Sequence, residues 1–122
     1  MLRNSFYDIV HRDQNVYTIR FNAKHPIFLG HFPERPIVPG ACIVQIAEEL
    51  AALSFGHPIR FTAIRDLKFR QPITPDQEIL ISIQKSTEPI YKVQCADSTK
   101  GELMIISFNA CGDEMEEKPT KI

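Results

Sequence analysis

The sequence contains no tryptophan and only three cysteines, Cys42, Cys95 and Cys111, among its 122 residues. Because their number is odd and they have no C-x-x-C spacing, we interpret them as free thiols in a reducing compartment. Residues 1–21 lack the apolar stretch of a secretory signal. No apolar run approaches the roughly 18–20 residues of a membrane span. We therefore expect a cytoplasmic protein without a membrane segment.

The charge pattern argues against a nucleic-acid partner, because the formal net charge is −1 and no block of arginine and lysine is present. The spacing of histidine, cysteine, aspartate and glutamate does not indicate a metal site. The sequence also lacks the G-x-S-x-G, P-loop and G-x-G-x-x-G motifs, so it gives no indication of the reactions or cofactor binding that depend on them. We expect neither a metal nor a cofactor.

Runs of β-branched and aromatic residues between turn-forming stretches predict two strands, one helix and four further strands. The helix is predicted over residues 40–55, after a proline-rich irregular stretch at 24–39, and should stop at Gly56 and Pro58. The strands are predicted at residues 5–10, 16–22, 61–70, 78–86, 90–96 and 102–110.

The predicted helix is apolar on nearly every face, which is typical of a helix buried on most sides. An antiparallel sheet wrapped around one long central helix would cover it, so we expect an α+β fold. Residues 1–111 should form a single domain, and residues 112–122 a charged and loose tail.

The start of the helix could bind a carbonyl oxygen. Pro39 suits the first helical position, and Gly40 has no side chain to block an approaching molecule. No serine or aspartate caps the N–H groups of Gly40 and Ala41, so they could stabilise a developing oxyanion. Water or a loop could equally satisfy them. Ahead of the helix, prolines should hold His31 in a stiff extended stretch, where an imidazole could transfer a proton. A surface or packed histidine is the simpler interpretation of His31.

Two stretches carry a resemblance to a known family. "GHFPERPIVPGACIV" at residues 30–44 and "LKFRQPITPDQEI" at residues 67–79 resemble the β-hydroxyacyl-acyl-carrier-protein dehydratases of the FabZ/FabA type. That resemblance implies the hot-dog fold and an obligate dimer, or a higher homo-oligomer, with the active site at the dimer interface. It also implies a 3-hydroxyacyl thioester as substrate, linked through phosphopantetheine to an acyl carrier protein, and a trans-2-enoyl thioester as product.

Carried over position by position, the resemblance makes His31 the catalytic histidine and Gly40 the backbone donor to the thioester carbonyl. Gln45 stands where the family has a catalytic acid, and Glu49 lies one helical turn further along, where the family often has glutamine. An amide cannot supply the proton that the departing hydroxyl needs.

The remaining expectations concern binding. Phe32, Pro39 and Ala41 are expected to contact the substrate. The basic residues Arg65, Lys68 and Arg70 are expected to bind the acidic carrier protein, although a solvated strand face is the simpler interpretation of each. The sequence also departs from the family pattern at Glu34, which replaces a loop glycine, and at Asp76, near the family's turn glycine.

Three interpretations of Gln45 stay open. His31 could return the proton itself while Gln45 orients the hydroxyl or a water. Glu49 could substitute as the acid, although surface or interface polarity is the simpler interpretation of Glu48 and Glu49. The chain could also be a deficient acyl-binding subunit or the partner of a second hot-dog subunit. A hot-dog thioesterase, using Glu34 or Glu49, is a further alternative.

Overall fold

A computed structural model describes residues 2–28, 36–87, 90–97 and 101–112. The elements confirm the predicted order of two strands, a helix and four strands, with a short 3-10 turn before the helix. In chain order they are β1 (Tyr7–Asp13), β2 (Val16–Phe21), the 3-10 turn (Pro26–Phe28), α1 (Gly40–Phe55), β3 (Ile59–Phe69), β4 (Glu78–Thr87), β5 (Ile90–Asp97) and β6 (Gly101–Gly112). The predicted loose tail lies outside the described residues from position 113 onward, so it stays a prediction.

The six strands form one antiparallel sheet in the order β1-β2-β4-β5-β6-β3. β1 runs three residues further than predicted, and Gln14 and Asn15 alone make the turn into β2. Helix and strands contribute to one cluster of buried side chains, so one face of the sheet packs on α1. Within the described part of the chain, no helix is long and apolar enough to cross a membrane.

The helix is fully buried along one side only, whereas the sequence had predicted burial on most faces. Ile43, Ile46 and Leu50 are fully buried, whereas Ala41 and Leu53 are exposed. A hydroxyl holds the buried side to the sheet, because Tyr17 of β2 bonds the carbonyl oxygen of Leu50 at 3.3 Å and Ser54 Oγ at 2.7 Å. A single copy of the sheet therefore covers only part of the apolar helix.

The two helix ends differ in how they are capped. Pro39 is the N-cap residue, with φ −62° and ψ 144°. The prediction that it occupies the first helical position was therefore wrong by one residue. Gly56 ends the helix as predicted: its φ is 80°, and its N–H donates to the Ala52 carbonyl at 2.9 Å. This left-handed backbone suits glycine because a β-carbon is strained there.

The edge strand β3 has an unusually exposed apolar side. Ile64, Leu67 and Phe69 are 50–56% exposed. They pair across the ladder with Phe108, Ile106 and Met104, which are buried. Residues directly opposite each other share one face of a sheet. These three side chains, here called the β3 inner patch, therefore lie on the core side of the sheet while remaining open to solvent.

The left-handed cap at Gly56 generates a stability prediction. Gly56→Ala should lower the free energy of unfolding by about 1–2 kcal/mol, because only the backbone conformation resists a β-carbon there. A β-carbon at this position would meet no atom within 4 Å. Gly56→Asn should lose less, because asparagine tolerates this conformation. Urea denaturation of both variants checks the prediction, and equal losses would contradict it.

Candidate active site at the helix start

The described residues contain part of the predicted site. Gly40, Gln45 and Glu49 lie on one helix, and Pro39 and Ala41 lie at its beginning. His31, Phe32 and Glu34 lie outside the described residues, so their roles stay predictions. Among the residues that the structure describes, no cluster of histidine, cysteine, aspartate and glutamate could hold a metal ion.

The beginning of the helix presents two backbone donors. The N–H groups of Cys42 and Ile43 donate to the Pro39 carbonyl at 3.0 and 3.2 Å. The N–H groups of Gly40 and Ala41 have no acceptor among the described residues, and no described side chain caps the helix. A β-carbon on Gly40 would have no atom within 4 Å. A carbonyl oxygen could therefore reach donors at the positive end of the helix dipole.

An apolar cavity of about 310 Å³ adjoins Gly40. Residues before the helix, on β3, on the β3–β4 connection and on β6 line it: Ile37, Val38, Pro39, Gly40, Leu67, Phe69, Ile73 and Met104. Apolar walls with a few polar groups are typical of small-molecule sites. Two members of the β3 inner patch thus form part of the wall beside the free N–H groups.

A second cavity, here called the Gln45 cavity, has a volume of about 360 Å³ and is lined by Leu2, Ala41, Cys42 and Gln45. Burial raises the pKa of the Cys42 thiol, which makes it a poor nucleophile at neutral pH. A larger polar cavity of about 660 Å³ at the β1–β2 turn shares no residue with either of these two. Gln45 supplies the amide that lines the Gln45 cavity, and it also lines a cavity of about 600 Å³ further along the helix with Glu48 and Glu49.

Glu49 is buried, with 8% of its surface exposed, and its carboxylate accepts four hydrogen bonds. Its Oε2 accepts from the Leu2 N–H at 2.7 Å and from Gln45 Nε2 at 2.9 Å. Its Oε1 accepts from the Tyr7 hydroxyl at 2.9 Å and from the Arg3 N–H at 3.1 Å. A carboxylate has about four acceptor positions, and all are filled. Glu49 is therefore not a solvated surface side chain, and the alternative of interface polarity stays a prediction.

Burial and these hydrogen bonds together shift the pKa values of Glu49 and Tyr7. Burial acts to raise the pKa of Glu49, but the hydrogen bonds from Gln45, Leu2, Tyr7 and Arg3 together leave that pKa below its ordinary value. Burial, reinforced by the hydrogen bond to Glu49, raises the pKa of Tyr7. At neutral pH an ionised carboxylate thus faces a protonated hydroxyl.

The other charged candidates lie on β3, directly after it, or on the helix in contact with it. Glu48 Oε2 accepts from the Phe61 N–H at 2.8 Å, which ties the helix to β3. Arg70 donates to Glu102 at 2.8 Å, and Arg65 to Asn109 Oδ1 at 3.3 Å. Lys68 is exposed. The three basic residues predicted to bind a carrier protein are therefore all at the surface, with part of the Arg70 charge compensated.

Glu49 generates a prediction about acid stability. Its pKa is lowered in the folded chain, whereas an unfolded glutamate has a pKa of about 4.3. The stabilisation is therefore complete above roughly pH 4.3 and is lost as the pH falls through the folded pKa. Urea denaturation between about pH 6 and pH 3 should show a steeper acid loss for the wild type than for Glu49→Gln. Glu78→Gln, which changes an exposed carboxylate, is the control. Parallel curves of unfolding free energy against pH for wild type and Glu49→Gln would contradict the prediction.

Comparison with known proteins places this geometry in a family. The family model described as ApeI dehydratase, of the ApeI-like family, matches residues 8–104. A 3-hydroxyacyl-[acyl-carrier-protein] dehydratase FabZ from Agrobacterium fabrum is 32% identical over 88 residues, covering 65% of this chain and 57% of that protein. FabZ from Brucella ovis is 36% identical over 86 residues, covering 62% and 55%. The chain thus spans somewhat more than half the length of these curated relatives.

Solved structures show the same fold. The dehydratase heterocomplex ApeI:P from Xenorhabdus doucetiae matches with a TM-score of 0.71 and 20% identity, over 84% of this chain and 96% of that one. A hypothetical thioesterase from Streptococcus pneumoniae, as a Thr→Ala mutant, matches with a TM-score of 0.60 and 9% identity, over 91% and 93%. The expected hot-dog fold is confirmed. With its sheet, its central helix and the match over residues 8–104, the chain belongs to the ApeI-like dehydratases of the FabZ/FabA type.

Proposed function

We propose that the chain is a FabZ-like dehydratase that converts a 3-hydroxyacyl thioester on an acyl carrier protein to the trans-2-enoyl thioester. The observation that supports this proposal most strongly is the start of α1. There the N–H groups of Gly40 and Ala41 have no acceptor among the described residues, and two cavities adjoin them. A thioester carbonyl that accepts from these donors would be polarised, which acidifies the proton on its α-carbon.

The proposed reaction uses His31 as the proton carrier. Its neutral imidazole takes the α-proton while the Gly40 N–H holds the charge that develops on the carbonyl oxygen. The electron pair forms the Cα–Cβ double bond, the Cβ–O bond breaks, and the hydroxyl leaves as water with the proton returned by the imidazolium. Phe32, Pro39 and Ala41 would contact the acyl chain. No cofactor takes part in this balance.

The surroundings of Glu49 support this single-histidine route over one in which Glu49 is the acid. An ionised carboxylate with a lowered pKa and four accepted hydrogen bonds has no proton to give at neutral pH. The same geometry gives little support to a thioesterase in which Glu49 would activate water, because its oxygens are already engaged. Glu34, the other candidate for that reaction, lies outside the described residues.

The carrier protein would approach along β3. Arg65 and Lys68 are exposed on this strand, and Arg70 is exposed directly after it. Leu67 and Phe69 of the same strand line the apolar cavity beside Gly40. Basic side chains near a site entrance increase the rate of encounter with an acidic partner. We propose that Arg65 and Lys68 contribute more than Arg70, whose guanidinium is paired with Glu102 at 2.8 Å.

A second copy of the chain would complete the site. The β3 inner patch is a half-exposed apolar surface at the free edge of the sheet, and such an edge is a template for pairing with another strand. Ala41 and Leu53 add exposed apolar surface on the helix. We propose a homodimer, or an assembly of dimers, that covers these surfaces.

A second candidate function is that of a partner subunit that binds the acyl thioester without turning it over alone. Gln45, an amide where the family has an acid, favours it. The similar solved complex of Xenorhabdus doucetiae is described as a dehydratase heterocomplex. In such a pair a second hot-dog subunit would supply the acid that this chain lacks.

A kinetic experiment tests the proposed activity. The purified chain should hydrate a crotonyl thioester in the reverse direction, followed by the loss of enoyl absorbance. His31→Ala should reduce the rate by about 100-fold or more, because the chain would lose its proton carrier. His11→Ala is the matched control, because His11 is an exposed residue of β1, and it should leave the rate unchanged.

An unchanged rate in a folded His31→Ala variant would contradict the proposed role of His31. If the wild type binds the thioester but shows no turnover in either direction, the dehydratase proposal fails for the isolated chain. The second candidate would then be tested by adding a hot-dog subunit that carries a glutamate or aspartate at the position equivalent to Gln45.

The proposed dimer is tested by charge substitution on β3. Leu67→Glu places a carboxylate on the apolar inner patch and should shift the light-scattering mass from dimer to monomer. Lys68→Glu is the matched control, because its cross-strand partner Ile105 belongs to the opposite face from the patch, and it should remain dimeric. A wild type that is monomeric at micromolar concentration would contradict the proposed assembly.

A further inference from the structure

The contact between Gln45 and Glu49 determines which end of the Gln45 amide is available. An ionised carboxylate offers only acceptors, so the nitrogen of the amide must face it. The structure has this arrangement, with Gln45 Nε2 at 2.9 Å from Glu49 Oε2. The oxygen of the amide, Oε1, accepts no hydrogen bond from any described residue. One N–H of the Gln45 amide is therefore held by Glu49, and its oxygen Oε1 remains an available acceptor.

Glu49 is itself held firmly in place. Its carboxylate accepts from the backbone N–H groups of Leu2 and Arg3 and from the buried hydroxyl of Tyr7. Hydrogen bonds to a charged acceptor are stronger than those between neutral groups. The same carboxylate therefore fixes the Gln45 amide and the position of Leu2, and both residues line the Gln45 cavity.

The available oxygen has a chemical match in the proposed substrate. A 3-hydroxyacyl thioester carries a carbonyl oxygen, which needs a donor, and a hydroxyl two carbons away, which can donate. The donors are the N–H groups of Gly40 and Ala41 at the start of the helix. Gln45 lines one cavity together with Ala41 and Cys42 of the first helical turn, so it borders the same end of the helix as these donors.

We propose that Glu49 is a positioning residue that holds Gln45 Oε1 as the acceptor for the substrate's 3-hydroxyl. The pair thereby selects 3-hydroxyacyl thioesters over acyl thioesters without the hydroxyl. This inference rests on the proposed substrate class. It assigns Gln45 to recognition and leaves both proton transfers to His31.

Binding measurements test the proposal without relying on turnover. In a His31→Ala background, which prevents reaction, the affinities of 3-hydroxybutyryl and butyryl pantetheine thioesters are compared by calorimetry. The hydroxyl should improve binding by about 2- to 10-fold, as expected for one neutral hydrogen bond. Gln45→Leu should abolish this preference, because it removes the acceptor and keeps a similar side-chain volume.

Glu49→Gln should also abolish the preference, because an amide at position 49 can accept or donate and no longer fixes the orientation of Gln45. The double variant should show no further loss. Glu48→Gln is the matched control. It alters the neighbouring carboxylate, which bonds the Phe61 N–H, and it should retain the preference.

Several results would overturn the proposal. The first is a His31→Ala protein that does not prefer the hydroxylated thioester. The second is a Gln45→Leu variant that keeps this preference. The third is a Glu49→Gln variant whose affinity for both thioesters falls by the same factor. The last result would mean that Glu49 is only structural. If Glu49→Gln does not fold, solvent exchange of the Gln45 side-chain NH2 protons in the wild type decides. Slow exchange supports the contact with Glu49, and fast exchange overturns it.

These outcomes are separable from those of the proposed activity. A hydroxyl preference without turnover would keep the inference and remove the enzyme assignment for the isolated chain. Turnover without the hydroxyl preference would keep the enzyme assignment and remove the inference about Gln45 and Glu49.

Discussion

The buried carboxylate of Glu49 is the interaction on which the helix, the N-terminal segment and the candidate site depend together. A charge removed from water is costly unless hydrogen bonds compensate it, and here four donors surround it. Three of them come from residues 2–7, which precede or open β1. The fourth comes from Gln45, one turn back along the helix. A single acidic side chain therefore sets the position of the first strand relative to the helix and the orientation of the amide in the site.

The second constraint is that the sheet extends beyond the helix it covers. The core side of β3 carries Ile64, Leu67 and Phe69, which remain half exposed in one copy. Leu67 and Phe69 also line the cavity beside Gly40. The surface that we propose to be covered by a second copy is thus continuous with the surface that we propose to bind the acyl chain, so assembly and substrate binding would share the same side chains.

Much of the fold could be predicted from the sequence, because local chemistry determines it. The helix over residues 40–55 and its end at Gly56 follow from helix formers and a left-handed glycine, and the structure confirms both. The environment of Glu49 could not be predicted, because its donors include two backbone N–H groups 46 and 47 residues away. Backbone donors leave no residue-type signal. The exposed side of β3 was also missed, because alternation shows which residues share a face but not how far the helix reaches along it.

The most direct test of this account is the titration of the Glu49 carboxyl carbon by NMR in the full chain. This carbon should keep the chemical shift of an ionised carboxylate from neutral pH down to below about pH 4.3, the ordinary pKa of glutamate. The NH2 signals of Gln45 should change only when that titration occurs, since the amide donates to this carboxylate. A Glu49 pKa near or above neutrality would contradict the account, because a protonated Glu49 could itself be the acid and would not hold Gln45 as an acceptor.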